Sequence, residues 1–188
     1  MHYHNTPTKD LLILIIGERT TDRLYSGVLD PLFNPKGKVA VRHRKLLAAR
    51  ELISRWMKEN LAMLPVLSQP DHMRAYLRLH FAGAERERFA VLFFNGRHRL
   101  IAAEDMFLGT LDGAFVYPRE VVKRALEWNA ASVVLAHNHP SGDVDPSHAD
   151  EQVTLRIRQA LELVDVRVMD HLIIGEDRAF SFSEHGLL

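Results

Sequence analysis

The sequence has no cysteine, no excess of charge of either sign, and no apolar run long enough to cross a bilayer. The first absence excludes a disulfide scaffold, a thiol nucleophile, a thiolate zinc knuckle and an iron–sulfur cluster. The second follows from 24 basic and 24 acidic residues, and it excludes both a globally cationic nucleic-acid clamp and an acidic, solvating disordered chain. As for the third, the apolar run Leu11–Ile16 is six residues long, too short for a signal sequence or a membrane span, and Met1-His2-Tyr3-His4 carries no basic segment. A cytoplasmic protein without a membrane partner is expected. What is present is ordinary for a folded domain: 188 residues, 47% apolar and 26% charged. That length suits one mid-sized domain, or a domain with a small helical extension. For metal or acid–base chemistry the chain has its carboxylates and 11 histidines.

Charge is unevenly placed. Residues 1–94 hold 15 Lys/Arg against 9 Asp/Glu, and residues 95–188 hold 9 against 15. The basic excess concentrates in Lys36–Lys58, where Lys36, Lys38, Arg42, Arg44, Lys45, Arg50, Arg55 and Lys58 face the single acid Glu51. Such a patch either tracks phosphates or is a solvated helix face.

Residues 8–34 carry a short apolar stretch, after which Gly17, Gly27 and Pro31, with Pro35 just beyond, break any period. A helix is expected over about 43–63, where Leu46, Ala49, Ile53, Trp56, Met57 and Leu61 recur at three- and four-residue spacing, with Trp56 on its core face. A second helix is expected over Pro70–Phe81. The period then changes. Phe89–Phe94 and Arg99–Ala103 read as strands joined at Asn95-Gly96, a hairpin signal whose two turn positions need positive φ. Pro118 starts a helix that continues to Trp128, also expected on a core face. Ser132–Ala136 reads as a buried strand and Ser147–Val164 as a helix. Short strands follow near Val166–Val168, His171–Ile174 and Ala179–Ser183. The expected organisation is a helical extension over 1–84 followed by an α/β or α+β domain over 85–188.

The chemistry concentrates in His137-Asn138-His139-Pro140-Ser141-Gly142-Asp143-Val144-Asp145-Pro146-Ser147-His148-Ala149-Asp150. On an extended backbone, residues i and i+2 point to one side, so His137 and His139 present two imidazoles together. A loop punctuated by Pro140, Gly142 and Pro146 turns the chain back into a helix. Asp150 lies one turn inside it, where its carboxylate can return towards the histidines. Ser147-x-x-Asp150 is in itself a good helix start, because the hydroxyl caps an amide and the acid sits near the positive end. Capping does not explain why that start follows His-x-His at the end of a buried strand. Two histidines and a carboxylate, with a fourth position open to water, form a catalytic zinc arrangement. His148, as the first helical residue, is expected to be solvated, and His171 to be structural.

His137-x-His139, seven residues, Ser147, two residues and Asp150 match the His-x-His-x7-Ser-x2-Asp signature of JAMM (MPN-type) metalloprotease domains. Tyr117-Pro118-Arg119-Glu120-Val121-Val122, Ala136–Gly142, Pro146-Ser147 and Asp170-His171 resemble the bacterial RadC branch of that family over about 85–188. The resemblance implies a small three-layer domain related to the cytidine deaminases. It implies one zinc ion per chain on His137, His139 and Asp150, with Ser147 assisting the zinc water or the tetrahedral intermediate. It also implies a general-base glutamate at the start of the domain's first strand. Glu87 matches that place, with Glu85, Glu104 and Glu120 as competitors. Arg44–Leu52 resembles the helix that follows the helix-hairpin-helix of full-length RadC proteins, whose Gly-x-Gly turn is here Asn34-Pro35-Lys36-Gly37-Lys38 with a single glycine.

The leading expectation is a zinc hydrolase that cleaves a peptide or isopeptide bond in a protein or peptide substrate. Glu87 would activate the water and Ser147 would assist the oxyanion. The other readings are a DNA-associated binding module that uses the basic helix 43–58, with Lys36, Lys38, Arg42, Arg44 and Lys45 on phosphates, and a nuclease built on the same metal. A nucleoside deaminase is excluded, because its Pro-Cys-x-x-Cys needs cysteines.

Overall fold

The computed structural model describes residues 6–33, 43–63, 65, 70–109 and 116–188. The chain divides into two compact units, Met1–Trp56 and Met57–Leu188, with the division inside one helix.

In the first unit, the stretch with no legible period holds three short helices: α1 (Thr8–Ile16), α2 (Glu18–Leu24) and α3 (Asp30–Phe33). Gly17, at φ 82°, ends α1 and precedes α2 in a conformation that favours glycine. Leu12, Ile16 and Leu32 bury one another together with Leu46, near the start of α4 (Arg44–Met63). Trp56 on α4 is 62% exposed, not on a core face; Leu46 and Leu61 are the residues of that helix fully buried.

The second unit is built on a five-stranded mixed sheet. Its strands are β1 (Arg88–Phe94), β2 (Leu100–Leu108), β3 (Ser132–Asn138), β4 (Arg167–Ile174) and β5 (Ala179–Ser181), in the spatial order β2-β1-β3-β4-β5. β3 and β4 are parallel and the other neighbours antiparallel. β1 and β3 are apolar almost throughout because both sheet faces are covered. On one face Ala90, Leu92, Phe94, Val134, Ala136, Leu172 and Ile174 pack against Met73, Tyr76, Leu77 and Phe81 of α5 (Pro70–Phe81), and against Leu61. On the other, Phe89, Val91, Phe93, Val133 and Leu135 pack against Val121 and Ala125 of α6 (Pro118–Glu127) and Ile157 and Leu161 of α7 (His148–Glu162). In β1 and β3 the alternation of period two is complete, and the result is a three-layer α+β domain. The core of the sheet thus takes in α5 and Leu61, which precede residue 85: without them one whole apolar face would meet water.

Three local features differ from expectation. The β1–β2 connection is a hairpin, but the residue with positive φ is His98 (57°), not Asn95 or Gly96. The Asn95 side chain accepts from the amides of Arg97 (2.9 Å) and Arg99 (3.2 Å), which stabilises a longer turn in place of a two-residue one. Secondly, Arg167–Ile174 is one strand. A register shift between Val133/Val134 opposite Val168 and Asp170 breaks the apolar alternation, so one strand reads as two. Thirdly, Trp128 is half exposed: its indole N–H donates to Glu104 at 2.8 Å, and the Arg124 guanidinium lies over its ring.

Candidate metal centre

β3 runs on through His137 and Asn138, so both imidazoles sit where the strand leaves the sheet. The loop returns across Val144, which buries against Ile173 and Phe182, and α7 begins at His148. Ser147 is the N-cap and Asp150 the third helical residue, joined in a reciprocal capping box. Asp150 N–H donates to Ser147 Oγ at 3.2 Å, while Ser147 N–H and Oγ–H both donate to Asp150 Oδ2, at 2.8 and 2.6 Å. One carboxylate oxygen is thus tied to the helix start, and Oδ1 is left to face the histidines.

His137 Nε2 lies 3.0 Å from His139 Nε2 and 3.2 Å from Asp150 Oδ1, and His139 Nε2 lies 3.7 Å from Asp150 Oδ2. Tetrahedral zinc with bonds of about 2.0–2.1 Å needs ligand atoms about 3.3 Å apart, and the three side chains, whose ligand atoms all lie within 4.8 Å of one another, are grouped closely enough to hold such an ion. Among the described residues, this is the group of His, Cys, Asp or Glu side chains that could hold a metal. The outer nitrogens are occupied. His139 Nδ1–H donates to the Asp143 carbonyl at 2.8 Å, and His137 Nδ1 meets His171 Nε2 at 2.9 Å. Both rings therefore turn Nε2 to one point.

Burial alone would push the Asp150 carboxyl up, but the hydrogen bond and charge of His137 and the two Ser147 bonds outweigh it. They hold the group well below the usual carboxylate range. His171 is fully buried, with its ring stacked on Phe182 at 4.7 Å and edge-on to Phe89 at 5.5 Å. Burial first, and then the neighbouring His137, holds its pKa well below the ordinary histidine value.

Glu87 directly precedes β1 and lies two residues before Phe89, whose ring stacks on His137 at 6.1 Å. The backbone around it is clamped: Asn138 Oδ1 accepts from Arg88 N–H at 2.8 Å, Asn138 Nδ2 donates to the Arg86 carbonyl at 3.1 Å, and Gly109 N–H donates to the Glu87 carbonyl at 2.8 Å. Glu85 is exposed. Glu104 is held by Arg124 and Trp128, and Glu120 pairs with Lys123 at 2.9 Å in the first turn of α6. The Ser147 proton is spent on Asp150 Oδ2 here. His148 is solvated, its side chain 83% exposed.

Sequence reasoning missed the chain behind His137 (His171 and Thr154) and the Asn138 clamp. Asp170-His171 and Asn138 lay within the stretches that carried the family resemblance, but which side chains they touch depends on strand pairing. Of the basic residues proposed for DNA, Arg44 and Lys45 are exposed at the start of α4, and Lys36, Lys38 and Arg42 lie outside the described residues. Among the described residues no helix is long and apolar enough to cross a membrane.

Comparison with known proteins shows the family. The profile of the RadC-like JAB domain matches residues 67–187. A UPF0758 protein of Methylibium petroleiphilum is 49% identical over 182 residues, covering 94% of this chain and 82% of the relative. Another, of Janthinobacterium sp. (strain Marseille), is 47% identical over 165 residues, 88% of this chain and 74% of the relative. A third, of Leptothrix cholodnii, is 50% identical over 153 residues, 81% and 69%. On its sequence, fold and clustered His137, His139 and Asp150, the chain belongs to the RadC family of JAB-domain proteins.

Proposed function

We propose that this chain is a zinc-dependent hydrolase of the JAMM metallopeptidase type, cleaving a peptide or isopeptide bond in a protein or peptide substrate. The observation that carries the reading is the convergence of His137 Nε2, His139 Nε2 and the Asp150 carboxylate within 4.8 Å of one another, with the outer nitrogens already bonded. Two imidazoles and a carboxylate are donors that suit zinc, one ion per chain. Such an ion supplies Lewis acidity and a water that ionises near neutral pH.

The protein groups do the rest. Glu87, fixed by the backbone bonds on either side of it, takes the proton of the attacking water and returns it to the departing amine. Ser147 offers the hydroxyl available to the oxygen of the scissile carbonyl as that atom gains charge, and to do so it releases Asp150 Oδ2. Asp150 keeps its backbone bond from Ser147 throughout and stays aimed.

The test is digestion of a mixed library of unstructured peptides and lysine-isopeptide conjugates by the zinc-loaded protein, read by mass spectrometry. Cleavage by wild type, reduced about 10²–10⁴-fold in Glu87→Gln with zinc retained, is the expected result. Equal cleavage by Glu87→Gln would remove Glu87 from the reaction. No cleavage, together with salt-sensitive DNA binding that survives Glu87→Gln, would favour the DNA-associated reading instead.

A further inference from the structure

Behind His137 lies a buried chain of polar groups that no step of the proposed reaction uses. Thr154, one turn after Asp150 on α7, is 2% exposed, and His171 on β4 is fully buried. The Thr154 hydroxyl donates to the Asp150 backbone carbonyl at 2.5 Å. A hydroxyl has one proton, so Oγ1 meets His171 Nδ1, 2.6 Å away, as an acceptor. His171 Nδ1 therefore carries hydrogen. With the hydrogen on Nδ1, the ring enclosed between Phe89 and Phe182 offers Nε2 as its acceptor nitrogen. That nitrogen faces His137 Nδ1 at 2.9 Å and accepts from it. His137 is then protonated on Nδ1, and its lone pair lies on Nε2, the atom turned to His139 and Asp150.

On this hydrogen-bond polarity we infer that Thr154 and His171 are positioning residues, which fix the tautomer of His137 so that Nε2 is a ligand atom. The inference rests on the reading of His137, His139 and Asp150 as metal ligands. Were the chain to run the other way, with Thr154 donating to His171, the proton would end on His137 Nε2 and bar a metal. The direction is set at the Asp150 backbone, so one ligand residue determines the tautomer of another. The parallel register that places His171 opposite Leu135, two residues before His137, makes the connection. Ligand histidines generally donate their second N–H to an acceptor, and here the acceptor is a histidine that is itself oriented.

Two measurements test it. Long-range ¹⁵N–¹H NMR of histidine-labelled, metal-free protein reads each tautomer without any substitution; Nδ1–H is expected on both His171 and His137. Competition with a chromophoric chelator then gives zinc affinity for wild type, Thr154→Val, Thr154→Ser and His171→Phe, with circular dichroism melts to report folding. Thr154→Val and His171→Phe are expected to bind zinc about 10–100-fold more weakly, and Thr154→Ser, which keeps the hydroxyl, to bind close to wild type. Thr154→Val is nearly isosteric and carries the test if His171→Phe does not fold. Nε2–H on His137, or wild-type zinc affinity in a folded Thr154→Val, would overturn the inference while leaving the metallohydrolase reading in place. Wild type that binds no zinc would overturn both.

Discussion

Gly175, which follows β4, lies close against the loop that orients His139. A Cβ at this position would lie 2.7 Å from the Gly142 carbonyl oxygen and 2.7 Å from Val144 Cγ1, whereas ordinary contact begins at 3.4 Å. Gly175→Ala therefore needs about 0.7 Å of new room. Val144 can turn part of the way, but the Gly142 oxygen is backbone and moves only with its loop. Such overpacking costs about 1–3 kcal/mol of stability. The same displacement reaches Asp143, whose carbonyl holds His139 Nδ1–H at 2.8 Å. A shift of that size takes the bond past ordinary hydrogen-bond length, a loss of about 1 kcal/mol and about a fivefold weaker hold on zinc. Urea denaturation and chelator competition on the same preparation measure both effects. Adding Val144→Ala should restore only part of the stability, since it leaves the Gly142 clash in place. A Gly175→Ala protein with wild-type stability and wild-type zinc affinity would refute the claim that this close approach braces the ligand loop.

Two further outcomes follow from the same contacts. Ser147→Ala removes the helix cap and one bond to Asp150 Oδ2. It should cost about 1 kcal/mol, a fall of about 4 °C in the melt, together with weaker zinc binding, and an unchanged melt would contradict the capping account. Asp105 is pushed up by burial but held below its ordinary value by His80, at 2.7 Å, and Arg88. The native state thus binds fewer protons there than the unfolded chain. Its stabilisation is present above about pH 4 and is lost as pH falls through the lower folded value, so Asp105→Asn should flatten the acid limb of stability measured by urea midpoints from pH 2 to 7.

Much of the fold was legible because burial writes itself into the chain. The apolar runs of β1 and β3 record a sheet covered on both faces, and the caps and prolines record where α5, α6 and α7 begin. Where local rules compete, the reading slipped. Asn95-Gly96 announced a hairpin, but the Asn95 side chain caps two amides and moves the positive φ to His98. The bulge at Val168–Asp170 reverses the alternation, and Asp170 is satisfied from afar by Ser181 Oγ and the Ser183 amide. At the candidate site, His137 and His139 were legible from strand geometry and Asp150 from the helix start. Their connection to His171 and Thr154 was not, because it depends on which strands lie side by side.

The most direct test of the central claim is elemental analysis of purified protein with no zinc added, for wild type and for the double variant His137→Ala/His139→Ala. About one zinc per wild-type chain, lost in the double variant, is the predicted result. Wild type that carries no zinc and takes up none on titration would contradict the account.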